Sequence, residues 1–300
     1  MSAPVRAIPP SPDAIAFVLA LNEGVQAEAG HEAFPEAVWS ALADPERKAL
    51  VSIDSESGAA AVLYRSDSFQ PSHLQLGVGA RAGADVRVIS NTVDAVVTAR
   101  SCPSEVVAWI PGSDPIVLAA LQESGFVVDR EQFQMRVPLP VADTAVWPPG
   151  VTARAFVPDR DEGAWLRVNN RAFQNHPDQG GWIAEVLDRR MAEPWFDSAG
   201  FLLAWRGSDL LGFCWTKVHS EPDPLGEIFV IGVDPDAQGL GLGRALVLSG
   251  LEHLAHERHC PTGLLYVASD NSAAVTLYRT LGFTTFRTDT ALILERTRNS

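Results

Sequence analysis

Residues 226–246 read GEIFVIGVDPDAQGLGLGRAL, and three local signals follow one another in that stretch. Ile228 to Val233 is an apolar, β-branched run, which predicts a buried strand. Asp234-Pro235 ends it, because proline has no amide hydrogen for a ladder. Gly239, Gly241 and Gly243 then lead into a helix whose apolar face is Leu246, Val247, Leu251 and Leu254. Such a turn aims several backbone N–H groups and a helix N-terminus at one point, which suits a phosphate; the plain alternative is a structural turn.

Spacing narrows the phosphate ligand. A P-loop needs Gly-Lys-Ser/Thr, but Gly243 is followed by Arg244 and Ala245. A dinucleotide fingerprint needs G-x-G-x-x-G, and the pattern here is G-x-G-x-G. Gln238-x-x-Gly241-x-Gly243 after a strand resembles the acetyl-CoA pyrophosphate loop of the GNAT superfamily of N-acetyltransferases, written R/Q-x-x-G-x-G/A. The resemblance implies acetyl-CoA as cosubstrate, no metal, and an α/β (α+β) fold of mixed, mainly antiparallel sheet flanked by helices.

Three hundred residues exceed what one hydrophobic core usually serves, so two domains are expected. A net charge of −14 disfavours nucleic acid, which needs a clustered basic footprint, but not CoA, since backbone amides bind phosphate without side-chain charge. No apolar run approaches the roughly 20 residues of a membrane span, and MSAPVRAIPP lacks the order of a signal peptide. The expectation is a cytoplasmic monomer that binds small molecules. Cys102, Cys214 and Cys260 are odd in number and widely spaced, which fits neither a disulfide framework nor a zinc site. Only Lys48 and Lys217 are lysines, so the lysine of Trp215-Thr216-Lys217 stands out; a lone exposed lysine is the bland alternative.

Helical spacing predicts helices over 11–27, from Pro35 through Leu50, over 92–100 and over Pro115-Glu123. Strands are predicted at Ala60-Tyr64, His73-Val78, Asp85-Ile89, Val106-Ile110 and Phe133-Val137. A Pro-rich stretch lies in PLPVADTAVWPPG (138–150), and the order of elements then recurs, which predicts domains 1–140 and 151–300 joined by a linker at 141–150. The repeat shows in residues too: LAALQESGFVVDREQFQMRV (118–137) and AVTLYRTLGFTTFRTDTALIL (274–294) each close a helix on Gly-Phe before a strand. The halves differ where chemistry is expected. The first has LQLGVGARAGADVRV (74–88) in place of the glycine loop and Leu121 in place of Tyr278, so it is expected to have lost acetyl transfer.

Acetylating an amine from a thioester needs a base for the amine, donors for the carbonyl and an acid for the departing thiolate. Glu227, at the start of the strand before the loop, is the candidate base, although a strand-end glutamate ordinarily faces solvent. Tyr278 is the candidate acid, with a core tyrosine as the alternative. Ile231-Gly232-Val233 supplies amides for the carbonyl if the neighbouring strand diverges, with Gly232 allowing a bulge.

NNRAFQNHPDQGGW (169–182), AEPWFD (192–197), LLGFCWTKVH (210–219), the glycine-loop stretch and LYVASDNSAAVTLYRTLGFTTF (265–286) together resemble the mycothiol synthase family. Those are two-domain GNAT enzymes that acetylate the cysteine amine of cysteinyl-glucosaminyl-inositol. The resemblance covers nearly all of 151–295 and only the general plan of the first half. It implies Glu227 as base and Tyr278 as acid. It implies acetyl-CoA contacts from Ile231, Gly232, Val233, Gln238, Gly239, Leu240, Gly241, Leu242, Gly243 and Arg244, and from Asn271, Ser272, Ala273, Ala274, Val275 and Thr276. For the acceptor it implies Asp178, Lys217, Tyr266, Glu227 and, in the first half, Glu36. The family more often has glutamate where Asp178 stands. Trp182, Trp195, Phe196 and Trp215 suit the apolar edges of a pseudo-disaccharide, or else pack the core, which is the expectation for Trp195. A GNAT enzyme for another amine, or an acyl-CoA sensor without turnover, are the alternatives.

Overall fold

A computed structural model describes residues 5–65, 74–100, 105–174, 179–219 and 224–295. The chain divides into two compact units, residues 1–132 with 287–300, and residues 133–286. The Pro-rich stretch therefore lies inside the second unit, and the last residues of the chain return to the first. That return rests on pairing: Thr290–Leu294 of the final strand runs antiparallel to Val106–Ile110.

In unit 1, helix α1 (Pro12–Ala29) starts on Ser11, whose hydroxyl accepts from the Ala14 amide, and stops at Gly30 in the left-handed conformation. The helix expected from Pro35 to Leu50 is only α2 (Ala37–Ala43). Asp44-Pro45 breaks it, since proline disfavours helical geometry in the residue before it. Leu50–Asp54 is strand β1, buried against β2 (Ala59–Arg65), and β2 pairs with β3 (Leu74–Ala80). The strand expected at Asp85-Ile89 is instead the start of helix α3 (Val86–Ala99). Asp85 is its N-cap and accepts from the Arg87 amide at 2.8 Å, a capping signal that outweighs the β-branched residues behind it. Strand β4 (Val106–Ile110) lies parallel to β3, and helix α4 (Pro115–Glu123) follows, capped by Asp114. Strand β5 (Val127–Pro138) carries the chain into unit 2.

Unit 2 continues with β6 (Thr152–Ala155), helices α5 (Glu162–Ala172) and α6 (Ala184–Met191), β7 (Phe201–Arg206), β8 (Asp209–His219) and β9 (Leu225–Val233). Helix α7 (Leu242–His256), β10 (Thr262–Ala268) and helix α8 (Ser272–Thr280) follow, and β11 (Thr284–Leu294) starts in unit 2 and carries the chain back into unit 1. Strands β6 to β9 form an antiparallel meander, and β10 joins β9 in parallel.

Helix α7 lies along one face of that sheet. The glycines mark how closely: a Cβ on Gly250 would come within 2.7 Å of Cys214 and Ile228, and one on Gly226 within 2.9 Å of Leu254. The opposite face holds an aromatic cluster under α5. Trp165 packs edge-on to Trp182, Phe201, Phe213 and Trp215, and Phe201 stacks on Trp215 at 4.3 Å.

Candidate active site

One irregularity organises the site. Between Trp215 and Thr216 the β8–β9 register shifts, so that Trp215 faces Val230 and Thr216 faces Ile228, leaving Phe229 as an extra residue. The bulge falls at Phe229, not at Gly232 as the sequence suggests. Gly232 is required for a different reason: a Cβ there would stand 2.9 Å from the Phe213 ring and 3.3 Å from Ala172. The bulge also resets the alternation of faces. Glu227, opposite Lys217, and the Phe229 ring, against Trp195 and Trp215, lie on the aromatic side. Ile231, opposite Cys214, returns to the α7 side, where it packs with Val233 on the core of Leu246, Val267 and Tyr278.

Just after the bulge the sheet opens. The parallel ladder between β9 and β10 runs from Leu225↔Thr262 to Ile228↔Leu265. On its other side β9 stays paired with β8 as far as Val233. Asp234 donates its amide to the Leu211 carbonyl, so the alternation of an antiparallel ladder turns the amides of Ile231 and Val233 towards the opened side. This is the divergence that the sequence made a condition for those amides to act.

Past Val233, Asp234 caps a short 3-10 turn and is held by Arg171. Gly239 and Gly241 follow with φ of 79° and 80°, a region side chains disfavour, and an added Cβ on either would meet open space. Their freedom is therefore used for conformation and not for close packing. Gly241 is the N-cap of α7 and no side chain caps the helix there. The first amides of a 15-residue helix thus face outward at the end of the strand, a geometry suited to an anion. Gln238, Gly239 and Leu240 are exposed, whereas Leu242 is buried and offers only its backbone. The Arg244 guanidinium reaches Asp143 and Thr280, so the loop relies on backbone donors.

Glu227 is buried, contrary to the usual strand-end glutamate, and its Oε2 lies 2.7 Å from His219 Nε2. Lys217 is buried too, with Nζ 5.2 Å from the centre of the Trp195 ring and 5.9 Å from that of Phe229. Tyr278 is buried on α8, its ring 5.8 Å from Phe283. Burial pushes its phenol up to about 12, and the neighbouring Cys214 adds to the shift. The hydroxyl therefore stays protonated at neutral pH.

The remaining expected residues sit as follows. Asn271 caps α8, its side chain accepting from the Ala274 amide at 3.2 Å. Ser272, Ala273 and Thr276 are exposed, Ala274 is half-buried and Val275 is in the core. Tyr266 on β10 is partly exposed, and its hydroxyl accepts from Gln134 Nε2 at 2.6 Å. Glu36 is in unit 1, exposed at the start of α2. Asp178 lies outside the described residues. Trp182 and Trp215 are core residues, while Trp195 and Phe196 are half-buried, Trp195 with its ring packed on Trp215 and Phe229. Among the described residues no group of three or more His, Cys, Asp or Glu side chains is placed to hold a metal ion. No described helix is long and apolar enough to cross a membrane.

Residues 163–283 match the acetyltransferase (GNAT) family. A mycothiol acetyltransferase of Acidimicrobium ferrooxidans is 40% identical over 298 residues, covering 95% of each chain. This chain belongs to the mycothiol acetyltransferase family. Another protein of that name, from Thermomonospora curvata, is 52% identical over 184 residues, 60% of this chain and 61% of the relative. One from Streptomyces scabiei is 51% identical over 183 residues, 60% of this chain and 59% of the relative. The match to those two relatives thus spans less than two thirds of their length. Among solved structures, a GCN5-related N-acetyltransferase from Sphaerobacter thermophilus superposes with a TM-score of 0.73 at 21% identity, covering 98% of this chain and 96% of that one. A tandem GNAT protein from the clavulanic acid biosynthesis pathway does so with a TM-score of 0.69 at 16% identity over 99% of each chain. These two establish the fold: tandem GNAT units of mixed, mainly antiparallel sheet flanked by helices.

His219, which the sequence reading did not single out, stands beside Glu227. A signal was present, since Lys217 and His219 of the WTKVH segment share one face of a strand. Using it required the β8–β9 register, which sets His219 diagonally across from Glu227.

Proposed function

We propose that the chain is a mycothiol acetyltransferase, transferring acetyl from acetyl-CoA to the cysteine amine of cysteinyl-glucosaminyl-inositol. The observation that carries this reading is the 40% identity to a relative of that name over 95% of both chains. The site geometry accords with it. The amides from Gln238 to Arg244 hold the pyrophosphate at the start of α7, and the pantetheine enters the opening between β9 and β10 beside Asn271 to Thr276. Ile231 and Val233 donate their amides to the thioester carbonyl, whose oxygen gains charge as the amine attacks. Glu227 takes the amine proton, directly or through a water, and Tyr278 gives its hydroxyl proton to the departing sulfur. The amide bond forms as the carbon–sulfur bond breaks, and CoA leaves as the thiol. Lys217, Tyr266 and Asp178 bind the acceptor.

The test is release of CoA with the cysteinyl acceptor, set against simple amines and amino sugars. A preference of at least roughly 100-fold in kcat/KM for the cysteinyl acceptor is expected, since the unreacting inositol and sugar supply binding that small amines lack. Equal rates on all of these amines would overturn the acceptor assignment while leaving a GNAT acetyltransferase.

A further inference from the structure

We infer that His219 carries the proton released in each turnover from Glu227 to solvent. The inference rests on Glu227 being the base, and it begins with proton balance. An α-amine with a pKa near 8 enters mostly as the ammonium at pH 7. It must lose two protons to become an amide, and the thiol product recovers only one, by way of Tyr278. One proton per turnover therefore has to reach bulk water.

Glu227 is poorly placed to deliver it unaided. Its side chain is 9% exposed, between β8 and the aromatic face. His219 is placed for the task. Its Nε2 is 2.7 Å from Glu227 Oε2, within range for proton transfer, and its side chain is 29% exposed. Histidine is also the side chain that gains and loses a proton most readily near neutral pH. Two strands impose the contact. His219 pairs with Leu225 at the end of β8 and Lys217 pairs with Glu227, so the imidazole reaches the carboxylate along the diagonal of one sheet face.

The step balances as follows. The ammonium proton moves to Glu227. The second amine proton, lost as the amide forms, makes up through water for the one Tyr278 gives to the sulfur. The carboxylic acid passes its proton to Nε2 of an imidazole protonated on Nδ1. The imidazolium gives its Nδ1 proton to water, which leaves Glu227 ionised. With Glu227 ionised, Nε2–H donates to the carboxylate, and exchange with water moves the imidazole proton to Nδ1 when Glu227 is next protonated. His219 thus acts through Glu227 and does not touch the reacting atoms.

The experiment compares His219→Ala, His219→Gln and Glu227→Gln by CoA release at saturating substrates in weak buffer, with acetyl-CoA affinity measured for each. His219→Gln can keep a hydrogen bond to the carboxylate but cannot carry a proton. Both His219 variants are expected to lose roughly 100-fold in kcat with acetyl-CoA affinity unchanged. Added imidazole is expected to restore much of the His219→Ala rate, and a series of methylimidazoles to do so in proportion to their basicity. Wild-type kcat in His219→Gln would overturn the inference and leave His219 as a hydrogen-bond donor that positions Glu227. A slow His219→Ala that imidazoles do not accelerate would overturn it as well. Failure of the underlying reading looks different: Glu227→Gln would then turn over at the wild-type rate.

Discussion

Two helices begin after two comparable strands, and they begin differently. In unit 1, β3 runs parallel to β4 over Leu74–Leu76 and leads through a glycine turn, with Gly83 at φ 81°, into α3. In unit 2, β9 runs parallel to β10 over Leu225–Ile228 and leads through Gly239 and Gly241 into α7. Helix α3 is capped by the Asp85 carboxylate, while α7 starts on Gly241 without a side-chain cap. Asp85 both satisfies an amide that a phosphate would otherwise bind and places a negative charge where the phosphate would come. The frameworks match; the polar groups set on them do not. Shared backbone geometry therefore says little about which unit can hold an acyl-CoA, and the helix cap says a good deal.

The largest effect that would sharpen this contrast concerns the acid. Leu121 stands in unit 1 where Tyr278 stands in unit 2, and Tyr278→Phe is expected to lower kcat by at least roughly 100-fold while acetyl-CoA affinity holds. Unchanged kcat would remove the functional difference between the two helices. The raised tyrosine pKa of about 12 also has a consequence in the wild type. The acid form exists below that value and is lost only above it, so ionisation of Tyr278 is expected to leave kcat level from pH 8 to about 10. A decline there that Tyr278→Phe abolishes would contradict the burial seen.

Next in size, Gly241→Asp puts at the start of α7 the carboxylate that α3 has, on a left-handed backbone where that of Asp85 is extended. The left-handed backbone and the added charge together are expected to cost acetyl-CoA binding about 2 kcal/mol, or roughly 30-fold in Kd. Gly241→Asn carries the backbone cost without the charge and is expected to lose less. Titration calorimetry showing equal losses for the two would mean that no anion is held at this helix.

The smallest effect is on the other side. Asp85→Ala removes the α3 cap and is expected to cost about 1 kcal/mol of stability, read as a lower urea midpoint, with kcat and KM unchanged. A change in turnover without a change in stability would show that unit 1 takes part in the chemistry.

Much of unit 2 was legible because its signals are local. The apolar run before Asp234-Pro235 and the glycines each act within a few residues. The first half misled in two places where local signals conflict. Val38, Leu42 and Leu50 suggest one long helix, which Asp44-Pro45 ends at Ala43, and Val86, Val88 and Ile89 suggest a strand, which the Asp85 cap turns into a helix. In both cases a constraint at one or two residues, proline sterics in the first and a side-chain cap in the second, prevailed over side-chain preference spread across several.

By itself the sequence pointed to the glycine turn after a buried strand, the recurrence of elements, the candidate base and acid, and the family resemblance, because these depend on backbone torsions and on residue types at short spacing. Tertiary structure alone decided that Phe229 is the bulged residue, that Glu227 meets His219, that Trp195 is half-buried, and that the last strand pairs with β4 of unit 1. Each of those depends on strand register. Register is chosen between segments distant in sequence by the packing of whole faces, and a slip of one residue would turn every side chain of a strand to its other side.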